Sequence, residues 1–345
     1  SWKISWVKKE IKKIWDDSWL IKEEKISTKS NELNNLLWWW ITIWSVTLLS
    51  WEPWIGKSTL SLQLADWYDW EIIYVSWEET EYQITSRANR LWIKWNNISI
   101  LSENNLENII ETLSWNKADL IIIDSISVIT SNNANSWAWS ISQVKEVAEK
   151  LVNYAKQNNT SIIIIWHITK DWSLAWPKTL EHLVDTVLFF EWERYEDVRL
   201  LRSLKNRFWS TWEVWIFKMT QEWLKDLVNP WFEFISSEND DKTIWSSLSI
   251  TLEWNRPIVV EVESLTTYTK FGYPKRSTRW INTTKLDLIL AVLSKYSKLW
   301  LESYDVYVNI VRWIKVFEPW IDLSIAWSII SSKLNKPIPR DTIFI

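Results

Sequence analysis

Residues 46–60 read VTLLSWEPWIGKSTL. An apolar run suited to a buried strand leads into Trp51, Glu52, Pro53, Trp54, Ile55, Gly56, Lys57, Ser58 and Thr59, and the helical pattern SLQLADWY follows. Strand, loop and helix in that order are the context a phosphate-binding P-loop requires. The chemistry needs main-chain N–H groups wrapped round a triphosphate at a helix N-terminus, with Lys57 reaching the β- and γ-phosphates and the Ser58 hydroxyl on Mg²⁺. These nine residues are the candidate nucleotide contacts. One of them breaks the pattern: Trp51 occupies the motif's first glycine position, where a side chain blocks the close backbone approach that glycine permits.

The composition carries the same anomaly. The chain of 345 residues has 34 Trp and only 2 Gly, whereas average usage puts glycine near 7%. Trp also stands where turns ask for glycine, at 38–40, at Trp172 between Asp171 and Ser173, and at Trp209 after Phe208. Most of these positions are read as glycine, decoded from a genome in which UGA specifies Gly. A chain in which every Trp is literal would expose roughly thirty indoles, making apolar patches of a size soluble proteins avoid.

A chain of this length accommodates about two domains. Its 39 basic and 43 acidic residues nearly balance, so nucleic-acid contacts must come from local patches. The absence of Cys excludes disulfides and Cys-ligated zinc and fits a reducing, cytoplasmic setting. Two histidines, His167 and His182, are too few for most metal cages. Residues 33–51 carry no charge and are long enough to span a membrane. Interruption by Asn34, Asn35, Thr42, Ser45 and Thr47, and the P-loop immediately after, favour a turn and a strand instead. The N-terminus SWKISWVKKEIKK has no apolar signal-peptide region.

Residues 1–26 are polar and aperiodic, a lead-in without expected structure. Apolar, β-branched runs then recur at 46–49, 72–75, 120–123, 161–165 and 186–190, the first four separated by helical patterns. That alternation predicts an α/β domain with a mainly parallel, doubly covered sheet. Residues 141–157 form the clearest helix, with Ile141, Val144, Val147, Ala148, Leu151, Val152 and Ala155 on one face. Residues 198–204 and 214–219 read as further edge strands, and 236–247 as a linker. Beyond it, strands at 258–265 and 306–311 and helices at 284–296 and 321–334 predict a second, smaller α/β region, closing on the strand-like run 341–345. A chain stopping there is expected to be truncated.

Phosphoanhydride hydrolysis needs an acid to organise the metal and a carboxylate to orient water. Asp124, ending the run LIIID, supplies the first; Glu78 or Glu79, in YVSWEET, offers the second at the same sheet edge. An ordinary helix-start acid remains the alternative there. His167 ends a strand and is read as a polar group near the γ-phosphate, with a structural histidine as the alternative; His182 is read as structural. Two loops, 131–140 and 170–178, are polar, and the second carries Lys170 and Lys178, candidates for tracking DNA phosphates inside a ring. Plain surface loops are the other reading.

With these residues assembled, the chain resembles the bacterial RadA (Sms) family of DNA repair ATPases over essentially its whole length. The resemblance rests on STKSNEL at 27–33, WEPWIGKST, YVSWEET, RANRLWI, IIIDSISV, WHITKDWSLAWPKTLEHLVDTVLFFEWE, KNRFW at 205–209 and WNRPIVVEVESL. Read with Gly for Trp, the P-loop becomes GEPGIGKST, glycine at 54 included, and the hallmark becomes KNRFG. The resemblance implies a RecA-like P-loop ATPase core at 27–240 that forms a hexameric ring. It implies ATP hydrolysis with Mg²⁺ between subunits and branch migration on single-stranded and branched DNA, beside a RecA-type recombinase. It assigns Lys57 and Ser58 to nucleotide and Mg²⁺, Asp124 to the Walker B role, Glu78 to catalysis, and Lys205 and Arg207 to a neighbouring subunit's nucleotide. It also implies that residues 241–345 resemble the Lon protease domain fold without its nucleophile, so no peptidase activity is expected; Lys270, Lys275, Arg276 and Arg279 give that region a basic cluster. Family members begin with a four-cysteine zinc finger that this sequence lacks. Two alternatives stand beside this reading: a RecA-type strand-exchange protein, and a non-hydrolysing nucleotide-binding scaffold if Trp51 and Trp54 are literal.

Overall fold

A computed structural model describes residues 44–51, 57–66, 70–93, 96–132, 140–167, 180–192, 198–208, 211, 214–220, 224–227, 243–253, 256–270, 272–311, 316, 318–339 and 341–345. The β-branched runs form strands β1 (Val46–Trp51), β2 (Ile72–Ser76), β3 (Ile98–Leu101), β4 (Leu120–Asp124), β5 (Ser161–His167) and β6 (Thr186–Trp192). All six run parallel. Helices α1 (Lys57–Asp66), α2 (Glu81–Arg90), α3 (Leu106–Trp115) and α4 (Ile141–Asn158) make the crossovers. Three antiparallel strands, β7 (Val198–Asn206), β8 (Val214–Met219) and β9 (Leu224–Asp226), extend one side, giving the order β3-β2-β4-β5-β1-β6-β7-β8-β9. Within 33–51, residues 46–51 are thus a strand between β5 and β6, and among the described residues no helix is long and apolar enough to cross a membrane.

Alternation along each strand divides the core in two. Leu49, Ile163, Ile165 and Leu188 face Leu60, Leu62, Ala65, Ile84 and Ala88 of α1 and α2. Val46, Leu48, Ile121, Ile123, Ile162 and Ile164 face Ile109, Leu113, Val144, Val147 and Leu151 of α3 and α4. The helix ends follow local chemistry. Thr80 caps α2 in a reciprocal box with Gln83. Its C-terminus closes as a Schellman turn, with Ile93 N–H donating to Ala88 O at 3.1 Å and Trp92 N–H to Asn89 O at 3.2 Å. Trp92 takes φ 55° there, the conformation that turn ordinarily gives to glycine. Helix α4 starts on the Ser140 cap and ends at Asn159 with φ 55°. Neither β3 nor α3 was singled out by the sequence; β3 is four residues long, below the length at which alternation is distinctive.

The second unit is a five-stranded sheet, ordered β12-β13-β11-β10-β14. Its elements are β10 (Ser246–Glu253), β11 (Arg256–Tyr268), β12 (Arg276–Arg279), α5 (Thr283–Tyr296), β13 (Tyr304–Ile310), α6 (Ile321–Leu334) and β14 (Ile343–Phe344). Strand β10 corrects the sequence reading, which ran the linker on to 247. Its hydroxyl-rich pattern looks solvated, yet Ser247 pairs with Ser324 of α6 at 2.6 Å and is buried. Ser264 and Ser328 repeat the arrangement at 2.6 Å, so small residues let α6 approach the sheet closely. Residues 236–242 lie outside the described residues. One apolar cluster joins Val198, Leu200, Val214 and Ile216 of β7 and β8 to Ile258, Val260, Leu286, Leu290 and Ile325 of the second unit.

Candidate nucleotide site

The parallel strands bring their C-terminal ends to one edge, where ligands bind in such sheets. Lys57 is the first residue of α1. On β4, Asp124 is paired in register with Ser76 at the end of β2 and is only 6% exposed. On β5, His167 stands in register with Trp51.

Hydrogen bonds organise this edge. The Tyr74 hydroxyl, on β2, donates to Asp124 Oδ2. Ser61 of α1 lies 2.7 Å from the same phenol oxygen; because the phenol has one proton and gives it to Asp124, Ser61 is the donor. Burial first, and the Asp124 carboxylate second, push the Tyr74 pKa well above its ordinary value, so it stays a protonated donor. Ser125 Oγ donates to Glu78 Oε1 at 2.8 Å, which draws Glu78 to the residue that follows Asp124. Glu79 is engaged differently: both of its oxygens accept from the Arg87 guanidinium, Nη2 to Oε1 at 2.8 Å. That hydrogen bonding raises the Arg87 pKa against the opposing effect of burial.

Ser131 and Asn132, after β4, are anchored on α3 and α4. Glu107 accepts from Asn132 N–H at 3.1 Å and from Lys150 Nζ at 2.9 Å, and Lys150 also pairs with Glu146 at 3.1 Å. Desolvation alone would raise the Glu107 pKa, but bonds from Asn132, Lys150 and Ser131 outweigh it and hold it at about 2. A depressed carboxylate stabilises the fold fully above its unfolded value of 4.5 and loses that contribution as pH falls through about 2. Glu107→Gln is therefore expected to lower the melting temperature at neutral pH, with the gap to the parent closing steadily below pH ~4.5. Thermal melts across that range check it; a gap independent of pH contradicts it.

The sequence-predicted residues do not all meet at one place. The structure brings Glu78 to Asp124 through Ser125, and joins Asp124 to α1 through Tyr74 and Ser61. It carries Lys205 and Arg207 to the opposite edge, since Val187 pairs with Lys205 and Thr186 with Asn206 at the start of β6. There Lys205 Nζ donates to the carbonyls of Glu181 and Val184, the latter at 2.9 Å. Arg207 binds Asp185 Oδ1 and His182 O, each at 3.1 Å. Burial first and the Arg207 charge second lower the Lys205 pKa. Thr47 and Trp51 on β1 are four residues apart, about 13 Å at the usual strand rise, and Thr47 pairs with Thr186, so these cations lie away from the end of β1. The sequence also placed the Trp51 ring where it blocks the phosphate approach; instead it is completely buried among Leu62, Tyr74 and Phe190. As the last residue of β1, it points to the same face as Leu49. Glu52, Pro53, Trp54, Ile55, Gly56, Lys170 and Lys178 lie outside the described residues, as do the side chains of Lys57, Ser58 and His167.

Tyr74, Ser61, Ser125 and Arg87 were missed by sequence reasoning. A phenol within an otherwise aliphatic strand, two residues before its end, was the available signal for Tyr74.

No protein-family model matches the chain. Among curated proteins, it is 40% identical over 325 residues to the DNA repair protein RadA of Rickettsia bellii, covering 93% of this chain and 72% of that protein. The chain belongs to the RadA family. The RadA of Aquifex aeolicus is 39% identical over 322 residues, 93% of this chain and 72% of its own length, and that of Streptococcus pneumoniae 39% over 327 residues, 94% and 78%. Family membership thus spans both units of the structure. Among solved structures, the RadB recombinase aligns with 59% of this chain and 99% of its own at a TM-score of 0.45 and 19% identity.

Proposed function

We propose that this chain is a DNA-dependent ATPase of recombinational repair, with a RecA-like core acting in a hexameric ring that promotes branch migration. The observation that carries the reading is the joining of Asp124 to α1 through Tyr74 and Ser61, with Glu78 held by the adjoining Ser125, in a chain about 40% identical to proteins named for DNA repair. The residues suit a nucleotide with Mg²⁺. A helix N-terminus offers main-chain donors to phosphate, and a buried carboxylate with a fixed orientation is a hard oxygen ligand. When bound, Mg²⁺ neutralises charge on the phosphates. Lys57 would contact the outer phosphates, Ser58 and Asp124 would hold the metal, and His167 lies on the strand end beside them. Glu78 would orient the attacking water, a role supported by its bond from Ser125, whereas Glu79 is bound bidentately by Arg87.

Lys205 and Arg207 are proposed to act on a neighbouring subunit's nucleotide, which their distance from the chain's own P-loop supports. The proposal extends to single-stranded and branched DNA as substrates, contacted through Lys170 and Lys178, to a RecA-type recombinase as partner, and to the cytoplasm as location. Residues 241–345 are proposed as a Lon-protease-like domain without peptidase activity, packed on β7 and β8.

The reading includes glycine at most printed Trp positions. Of the six described non-glycine residues with positive φ, three are Trp44, Trp92 and Trp280 and two are Asn159 and Asn335. Outside glycine, Asn is the residue that enters this conformation routinely, and other side chains pay about 1–2 kcal/mol for it. Trp92 fills the glycine position of a Schellman turn with its ring 88% exposed. The mass of the native peptide containing positions 51 and 54 decides between the two residues. Function is tested by ATP hydrolysis with and without single-stranded DNA.

A further inference from the structure

We propose that Tyr74 is a positioning residue for the metal-organising carboxylate, and that it ties Asp124 to the P-loop helix through Ser61. This rests on the nucleotide-site reading given above. Tyr74 is 1% exposed and Ser61 is fully buried, so neither hydroxyl exchanges its partner for water. The order of donation is fixed: Ser61 of α1 donates to the phenol, and the phenol donates to Asp124 Oδ2. One carboxylate oxygen is thereby occupied by a neutral donor. Rotation of the carboxyl group is opposed by that buried bond.

The chain of bonds crosses three elements, α1, β4 and β2, so it couples two parts of the site. The helix whose N-terminus receives phosphate and the acid that receives metal move as one piece. Partners that orient a metal ligand typically cost about 10–100-fold in metal affinity when removed. An aliphatic residue in place of Tyr74 would fill the strand position equally well but would remove this donor from the carboxylate.

The test is the Mg²⁺ dependence of ADP binding, measured by equilibrium dialysis on the full chain with EDTA and across a Mg²⁺ titration. In Tyr74→Phe, which keeps the ring, ADP binding in EDTA is expected to match the parent, and the half-saturating Mg²⁺ concentration to rise about tenfold. Ser61→Ala, which removes the donor to the phenol but leaves the phenol's own bond to Asp124, is expected to shift the same value in the same direction by less. A purely structural phenol would lower the melting temperature and leave the Mg²⁺ titration unmoved, and that result overturns the proposal. Should Tyr74→Phe fail to fold, an unmoved titration in Ser61→Ala overturns it equally. A parent chain whose ADP binding does not respond to Mg²⁺ sinks the nucleotide-site reading itself, a different outcome from a responsive parent with unresponsive variants.

Discussion

Lys57→Ala is expected to reduce ATP turnover by about 10²–10³-fold or more, the loss seen when one donor to developing transition-state charge is removed. The lysine opens α1, where the helix dipole and main-chain N–H groups already favour phosphate. Binding of nucleotide therefore falls less than turnover does, because those main-chain donors remain. Phosphate release, with nucleotide binding measured separately, checks the expectation. A variant that retains parental turnover would place the chemistry elsewhere in the molecule.

Lys205→Ala is expected to leave nucleotide binding unchanged and to lower turnover by about 10³–10⁵-fold, the range of a cation supplied in trans to phosphoryl transfer. The geometry behind this is the separation of the two sheet edges: Lys205 is paired with Val187 at the start of β6, while the P-loop follows the end of β1. In the single subunit Lys205 is engaged by the carbonyls of Glu181 and Val184, so reaching a neighbour exchanges those bonds for phosphate. Asp185 supports the adjoining cation, accepting from Arg207 and from Val46 N–H at 3.1 and 3.0 Å. Mixing separates trans action from a folding defect. Lys57→Ala subunits keep an intact Lys205, and Lys205→Ala subunits keep an intact P-loop, so mixed assemblies are expected to recover part of the turnover that each lacks alone. No recovery on mixing, or loss of nucleotide binding in Lys205→Ala, contradicts the assignment.

Much of the fold was legible because alternation is hard to disguise in long elements. The runs LIIID and SIIII admit little except buried parallel strands, and α4 buries Val144, Val147, Ala148, Leu151, Val152 and Ala155 of the stripe its spacing announces, while Ile141, at the helix start, is 52% exposed. Strand β10 was obscured because its inward residues are Ser247, Ser249 and Thr251, hydroxyls that look solvated until Ser324 of α6, the Phe344 carbonyl of β14 and the Glu318 carboxylate supply partners. At the site, Asp124 and the neighbourhood of Glu78 could be placed from strand ends alone. The roles of Tyr74 and Ser61 could not, since they depend on which face of β2 meets α1. The remote position of Lys205 and Arg207 follows from the reversal of chain direction at β7, visible only once β6 and β7 are seen to pair antiparallel.

The side chain of Trp51 departs from expectation for a related reason. It ends a strand whose alternate residues point inward, so the ring joins the core beside Tyr74. A glycine there would leave the backbone bare on that face and remove the ring from beneath the site. Two of the three Trp at positive φ argue from other parts of the chain, because Trp92 and Trp280 lie far from residues 51–59 in sequence.

Phosphate release by the chain translated with UGA as glycine, measured with and without single-stranded DNA, tests the central claim most directly. ATP turnover that rises on adding the DNA and disappears in Lys57→Ala is the predicted result. A folded, glycine-bearing chain that binds no nucleotide and shows no turnover with or without DNA would contradict it.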